Sequence, residues 1–113
     1  MLSLLDASFD PIGIVGPDGR YLWINEASVR LFGFSREEVL GTHFRDRLLP
    51  DEPVSGAMAQ ALHGAAAAVV RRLRCKDGTV LVLRTELIPL GDGRVAIHAS
   101  DLTALYELGR TVE

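Results

Sequence analysis

Two Asp-Gly turns in the second half of the chain constrain the fold more than any other feature. Asp77-Gly78 and Asp92-Gly93 each follow a segment of alternating apolar residues, and turns of this kind join adjacent antiparallel strands. They separate three predicted strands, at residues 69–76, 80–88 and 95–100. Because Pro89 has no backbone N–H to donate, we expect regular pairing of the second strand to end there.

The first half of the chain predicts a shorter hairpin followed by a helix. Residues 11–15 and 20–24 are rich in β-branched and aromatic side chains and flank the turn Pro17-Asp18-Gly19. Asn25 has a side chain that can cap a following helix. Gly33 suits the left-handed position that ends such a helix.

More helix signals lie between and around these groups of strands. Ser35 and Glu38 form a capping box for a short helix, which Val39 and Leu40 anchor and Gly41 ends. Two further helical segments are predicted, one with Phe44, Leu48 and Leu49 on its apolar side and one from Pro53 to near Gly64 that buries Met58 and Leu62. Residues 2–9 predict a leading helix that packs Leu4, Leu5 and Phe9, and residues 102–112 predict a terminal helix.

Strands and helices segregated in this way indicate an α+β fold with an antiparallel sheet of two unlike faces. One face is almost wholly apolar and must be covered by the helices: Val69, Leu73, Cys75, Leu81, Leu83, Thr85, Leu87, Val95, Ile97 and Ala99. The other mixes charges with apolar residues such as Val80, Val82 and Ile88, so it is either solvated or an interface. Arg71 breaks the apolar pattern, which we interpret as a position near a strand end.

Composition and charge exclude several classes of protein. A chain of 113 residues, 48% hydrophobic and 24% charged, is expected to form one globular domain. A net charge of -3 argues against nucleic-acid binding, and the single cysteine, Cys75, excludes an internal disulfide. No signal sequence or spanning segment of ~20 apolar residues is visible, so we expect a cytoplasmic location without membrane contact by this fragment.

Six short motifs, in their order and spacing, resemble those of PAS domains, the small α+β sensory modules of bacterial signalling proteins. They are Asp18-Gly19, Asn25-Glu26-Ala27, Leu31-Phe32-Gly33-Phe34, Glu37-Glu38-Val39-Leu40-Gly41, Lys76-Asp77-Gly78-Thr79 and Asp101-Leu102-Thr103. The resemblance implies a five-stranded antiparallel sheet of order 2-1-5-4-3 with short helices on one face. It divides the single domain into a leading helix (1–9), a PAS core (10–101) and the start of an output helix (102–113).

The resemblance also implies a pocket between the apolar sheet face and the helices. The parity of the strand residues predicts a lining that includes Ile14, Leu62, Leu73, Leu81, Leu83, Thr85, Ile97 and Ala99. The sequence contains no catalytic motif, and Thr85 is the polar side chain among these strand positions. An enzyme is therefore not predicted, and a small pocket enzyme is the third-ranked interpretation.

The residues of this chain do not match the sites that hold two cofactors in related domains. Flavin-binding LOV relatives use a Gly-x-x-Cys thiol and sheet amides, but the matching residues here are Phe44, Leu73, Leu83 and Ala99, so flavin is not predicted. Some haem-binding relatives use a histidine near the position of His63, but four alanines replace the glycine and arginine pattern that should follow it. No cofactor is predicted, and a sensor of haem or of a small apolar ligand is the alternative interpretation.

The favoured interpretation is a non-catalytic sensory and dimerisation module of a bacterial signal-transduction protein, as in two-component systems. Its predicted partners are a second copy and an output domain, such as a kinase, cyclase or transcription factor. The resemblance implies that Asp101 and Thr103 relay the signal to the terminal helix. The dimer interface is predicted at the mixed sheet face and at a heptad seam: Val80, Val82, Leu105, Leu108 and Val112.

Overall fold

The computed structural model describes residues 9–49 and 56–112, which form a sheet with helices against one face. Its strands are β1 (Ile12–Val15), β2 (Tyr21–Ile24), β3 (Ala67–Arg74), β4 (Val80–Gly91) and β5 (Arg94–Asp101). The helices among these residues are α1 (Glu26–Phe32), α2 (Arg36–Val39), α3 (Ala57–Leu62) and α4 (Thr103–Val112), with a 3₁₀ helix at Phe44–Arg47. The five strands pair antiparallel in the order β2-β1-β5-β4-β3, which confirms the predicted fold class and topology.

The capping residues explain where the first helices begin. Asn25 is fully buried, and its Oδ1 accepts from the backbone N–H of Ser28 (3.0 Å) and of Ile12 (2.9 Å). It therefore caps α1 and also fastens that helix to the start of β1. Gly33 ends α1 with φ of 81°, and the predicted capping box of Ser35 and Glu38 is present at α2.

The boundaries of the long strands differ from the predicted ones. β3 begins at Ala67, two residues earlier than predicted and three residues after Gly64, which has φ of 97°. Cys75 and Lys76 lie beyond its end, in the turn. β4 continues through Pro89 to Gly91, so it is longer than predicted. Its register with β5 shifts between Pro89 and Gly91, so the regular pairing ends at Pro89 as predicted. Because β3 pairs with β4 only as far as Leu87, Pro89 lies where β4 is an edge strand, and proline is tolerated there.

The alternation of β4 confirms that the sheet has an inner face, which the helices cover, and an outer face. Leu81, Leu83 and Leu87 are buried on the inner face, whereas Val80 and Ile88 are exposed on the outer face. Two apolar clusters lie on the inner face. One joins Val15, Leu87 and Val95 to Met58 and Ala61 of α3, and the other joins Cys75, Leu81, Leu83 and Ala99 to Leu31 and Phe32 of α1.

Several apolar and charged positions depart from the sequence prediction. Arg71 lies in the middle of β3, opposite Leu83, and not near a strand end. Its half-buried side chain shares the inner face, where the long stem of an arginine can cover apolar surface. Leu40 and Phe9 are 43% and 95% exposed, so neither serves as the predicted anchor.

The predicted leading helix otherwise falls outside the described residues, as does the predicted helix start at Pro53. None of the described helices is long and apolar enough to cross a membrane.

Candidate functional site

A cavity of about 400 Å³ lies between the inner face and the covering segments. The sheet contributes residues of β1, β3, β4 and β5, and the cover contributes α3 and the 3₁₀ helix. Its apolar wall includes Phe34, Phe44, Leu48, Met58, Leu62, Val69, Leu73, Leu83, Leu87 and Ile97. This volume falls within the range of about 300–1,000 Å³ that is usual for small-molecule sites.

The structure places six of the eight predicted pocket residues in the wall of this cavity: Leu62, Leu73, Leu83, Thr85, Ile97 and Ala99. The prediction for Ile14 was wrong, because Ile14 pairs with Ala96 on the outer face while Gly13 and Val15 point inward, opposite Ile97 and Val95. Leu81 lies on the inner face but packs in the cluster with Cys75 and Leu83, away from the cavity.

The described part of the cavity wall includes a group of arginines that the sequence prediction missed. Four arginines, Arg45, Arg47, Arg71 and Arg74, lie in its wall. Among the described lining residues the acidic one is Asp18, which already accepts from the backbone N–H of Arg20 at 3.1 Å. Arginines therefore outnumber acidic residues among the described lining residues, although the net charge of the chain is -3.

Arg47 is held in place by a hydrogen bond and by contact with an aromatic ring. One of its terminal nitrogens donates to Oγ1 of Thr42 at 3.0 Å, and its guanidinium carbon lies 4.5 Å from the centre of the Phe34 ring. Its Nε is shielded from solvent and has no hydrogen-bond partner among the described residues. A buried donor in this state is unfavourable unless another group accepts from it.

Tyr21 contributes a phenol group to the same wall. Burial raises the pKa of Tyr21 to about 12, while the positive charge of Arg47 acts in the opposite direction. The phenol is therefore neutral and able to donate at physiological pH. Gly13 makes room for the ring, because a Cβ there would lie 3.1 Å from Cε1 of Tyr21.

The three histidines occupy different places. His43 lies in the cavity wall, where its Nδ1 accepts from the backbone N–H of Arg45 and so caps the 3₁₀ helix. His63 is exposed at the end of α3, with Nδ1 2.7 Å from the carbonyl oxygen of Ala59, and is not among the lining residues. His98 lies on the outer face between Asp10 and Glu86.

The last helix is tied to the sheet by a compact set of hydrogen bonds. Oδ1 of Asp101 accepts from both the backbone N–H (2.9 Å) and the hydroxyl (2.6 Å) of Thr103. Oγ1 of Thr103 in turn accepts from the backbone N–H of Val82 at 2.9 Å, and Leu102 donates to the carbonyl of Val82. The start of α4 is therefore fastened to β4, one residue from Leu83 in the cavity wall.

The predicted dimer residues are apolar and mostly accessible. Leu105 and Leu108 of α4 are 64% and 61% exposed, and Val80 on the outer face is 39% exposed. Val82 is half-buried. The side chain of Val112 lies outside the described residues.

This combination of sheet order, cavity and exit helix agrees with the comparison with known families. A family model described as PAS fold matches residues 5–107. The chain belongs to the PAS-fold family. No curated protein sequence matched it.

Solved PAS and LOV structures have the same architecture. An RNA-binding light-oxygen-voltage receptor superposes with a TM-score of 0.85 and 21% identity over 98% of this chain, which spans 35% of that receptor. A domain of a sensory box sensor histidine kinase/response regulator from Geobacter sulfurreducens gives 0.79 and 22%, covering 88% of this chain and 90% of the other. A PAS domain from Colwellia psychrerythraea gives 0.78 and 18%, covering 91% and 94%. At these identities the likeness shows the fold alone.

Proposed function

We propose that this PAS domain is a non-catalytic sensory module that couples occupancy of its cavity to the position of α4. The observation that carries the proposal is the set of hydrogen bonds joining Asp101, Thr103 and Val82. β4 presents Leu83 and Thr85 to the cavity and holds the start of α4 at its neighbouring residue, Val82. A ligand that shifts β4 therefore acts directly on the first turn of the helix.

The output of such a module is a second domain of the same full-length protein. Among the structural neighbours are domains of sensor histidine kinases. We therefore favour a kinase as the output domain of a two-component system. A cyclase or a transcription factor is the alternative, and the same helix would connect it to the sensor. In this arrangement α4 is the connection between the sensor and the output domain.

The relay is tested by Thr103→Val, which keeps the shape of the side chain and removes the hydroxyl that accepts from Val82. Hydrogen exchange should become faster at Val82 and in the first turn of α4. Thr85→Val is the matched control, because it makes the same change on β4 in the cavity wall. Wild-type exchange of α4 in Thr103→Val would contradict the relay.

Coupling to the cavity is tested with alcohols and fatty acids of six to ten carbons as probes (roughly the size that fills such a cavity). A probe that raises the melting temperature should change amide exchange in α4 of the wild type, and this change should be lost in Thr103→Val. Stabilising probes that leave α4 unchanged would contradict the sensory function.

A homodimer is the second part of the proposal. Exposed Leu105 and Leu108 at helical spacing, beside the apolar part of the outer face, favour a second copy of the chain as the partner. In sedimentation equilibrium, a double change of Leu105 and Leu108 to Asp should weaken self-association. Leu40→Asp is the control, because Leu40 is also exposed but lies on α2. Equal association of both variants would contradict this interface.

We further propose that the module works without flavin or haem. The positions that resemble flavin contacts, Phe44, Leu73, Leu83 and Ala99, are apolar residues of the cavity wall that cannot hydrogen-bond a flavin edge. His63 is exposed at the end of α3 and is not part of the wall. Protein reconstituted with hemin should give no sharp Soret band. A sharp band that His63→Ala abolishes would contradict this.

A further inference from the structure

Tyr21 is part of the surface that the cavity offers to a ligand. Tyr21, Phe44, Leu62 and Ile97 pack against the same buried cluster, and all four line the cavity. Each is half-buried, although helices cover this face of the sheet. Their remaining accessible surface therefore faces the cavity, so a ligand would touch the Tyr21 side chain together with its three apolar neighbours.

The pairing of β1 with β2 fixes where the Tyr21 ring lies. Tyr21 is paired with Val15, yet a Cβ on Gly13 would come within 3.1 Å of its Cε1. The ring therefore leans over Gly13, two residues along β1, and Gly13 is paired in turn with Ile97 of β5. The phenol thus extends from the edge strand β2 over β1, towards the part of the wall that Ile97 forms.

The hydroxyl of Tyr21 has no hydrogen-bond partner among the described residues. Burial raises the pKa of Tyr21 to about 12, so the phenol keeps its proton at physiological pH. A desolvated hydroxyl without an acceptor is unfavourable, and a ligand that supplies an acceptor removes this cost. Nε of Arg47 also lacks a partner among these residues, but it is shielded and so is closed to a ligand, which the half-buried Tyr21 is not.

A neutral carbonyl oxygen is the acceptor that fits this donor. The phenol is uncharged at physiological pH, so it does not compensate for the cost of taking an ion out of water. A carbonyl group costs much less to desolvate and can accept the phenol proton. An ammonium group has no acceptor for that proton, and the positive charge of Arg47, which acts on the phenol, would repel it.

We propose that the cavity binds a neutral, mostly apolar carbonyl compound, whose oxygen accepts a hydrogen bond from the hydroxyl of Tyr21. Its apolar body lies against Phe44, Leu62 and Ile97. The inference deepens the proposed sensory function and rests on it, because it names the class of ligand that the sensor detects. Burial of apolar surface supplies most of the affinity, and Tyr21 selects among apolar ligands by their acceptor.

The experiment compares probes of similar shape that differ at one end: acetophenone, α-methylstyrene, benzoate and 1-phenylethylammonium, each titrated at neutral pH and followed by amide NMR shifts. α-Methylstyrene replaces the C=O of acetophenone by C=CH₂ and so removes only the acceptor. Tyr21→Phe should weaken acetophenone binding about three- to tenfold, as expected for one neutral hydrogen bond, and leave α-methylstyrene within about twofold. Because each probe is compared with itself, differences in hydrophobicity cancel. Acetophenone should bind more tightly than either ion.

Two control variants accompany Tyr21→Phe. Tyr106→Phe makes the same change on α4, where Tyr106 is 48% exposed and outside the cavity wall. Thr85→Val removes another hydroxyl from the wall. Both should keep the acetophenone affinity of the wild type. If Tyr21→Phe does not fold, the carbonyl stretch of acetophenone bound to the wild type replaces it: a lower frequency than in hexane supports the inference, and an equal frequency overturns it.

Equal changes in the affinities for acetophenone and α-methylstyrene in Tyr21→Phe would overturn the inference while the sensory function stands. Failure of both probes to bind, or tighter binding of benzoate than of acetophenone, would overturn it too. A loss of acetophenone affinity in Thr85→Val but not in Tyr21→Phe would rule out Tyr21 as the donor. Acetophenone binding through Tyr21 that leaves amide exchange in α4 unchanged would support the inference and contradict the sensory function.

Discussion

The two faces of this one sheet treat their side chains in opposite ways. On β4, Leu83 of the inner face is 1% exposed, whereas Val80 of the outer face is 39% exposed. The inner face forms two apolar clusters and leaves an arginine-lined cavity beside them. The outer face carries surface ion pairs, such as Arg84 with Glu86 at 2.8 Å, among exposed apolar residues. The inner face therefore carries the packed core and the cavity, whereas the outer face carries exposed apolar side chains among ion pairs.

The largest test of this comparison is a matched pair of truncations on β4. Leu83→Ala should lower the free energy of unfolding by about 2–5 kcal/mol, because it removes fully buried methyl groups from the packed cluster. Val80→Ala should change it by less than about 1 kcal/mol in dilute, monomeric protein, because its side chain is already in contact with water. Urea unfolding measures both. Similar losses would show that the two faces do not differ as described.

Buried polar contacts sharpen the same comparison. Asn25→Ala should lower the free energy of unfolding by about 2–3 kcal/mol, because the backbone N–H groups of Ile12 and Ser28 lose their acceptor in a buried place. Ser35→Ala is the control, because it removes a cap of the same kind from the exposed start of α2 and should cost about 1 kcal/mol. A loss for Asn25→Ala no larger than this would mean that its link to β1 contributes little.

These contacts also show how far the sequence could predict the molecule. Helix caps and tight turns depend on one residue or a few neighbouring residues, so the sequence predicts them well. The structure confirms the Asn25 cap, the Ser35–Glu38 capping box and the Asp-Gly turns. The second role of Asn25, as acceptor for Ile12, depends on a contact between residues 13 positions apart. No local pattern indicates such a contact.

Positions that depend on strand register were harder to predict. Alternation assigned β4 correctly because Leu81, Leu83 and Leu87 share one face. In β1, by contrast, Ile12 and Ile14 lie on the outer face and small Gly13 lies inward. A hydrophobicity pattern gives the reverse assignment. The prediction for Arg71 was wrong for a related reason. A charged residue in an apolar strand pattern suggests a strand end, because the sequence does not reveal the cavity beside it. The charged part of the site therefore emerged from the structure.

The two glycine turns at the ends of the sheet give a test of intermediate size. Gly19 and Gly78 both have positive φ, 79° and 92°, so alanine at either should cost about 1–2 kcal/mol. Gly19→Ala should lose more, because its Cβ would lie 2.6 Å from Nε2 of His43 in the cavity cover, whereas nothing lies within 4 Å at Gly78. Amide exchange of the 3₁₀ helix should rise only in Gly19→Ala. Equal losses in the two variants would show that the close contact between Gly19 and His43 does not affect stability.

The smallest expected effect concerns the exposed link between α2 and the turn after β3. Nζ of Lys76 donates to both carboxylate oxygens of Glu38, at 2.9 and 2.8 Å, and together with the Ser35 backbone N–H it lowers the pKa of Glu38 from 4.5 to about 2. A lowered pKa in the folded state means that this stabilisation is present above the usual pKa and is lost as the pH falls towards 2. Because the pair is exposed, the effect is small and should shrink further in about 0.5 M salt.

Glu38→Gln should therefore be slightly less stable than the wild type at neutral pH, and the difference should shrink as the pH falls from the usual pKa of a carboxyl group towards about 2. Glu37→Gln, one residue away on α2, is the control for changing a carboxylate in the first turn of this helix. Melting temperatures recorded from neutral pH downwards give the comparison. If wild type and Glu38→Gln differ by the same amount at every pH, the link does not act through the charge of Glu38. The exposed contact between Glu38 and Lys76 would then resemble the surface ion pairs of the outer face more than it resembles the buried contacts of the inner face.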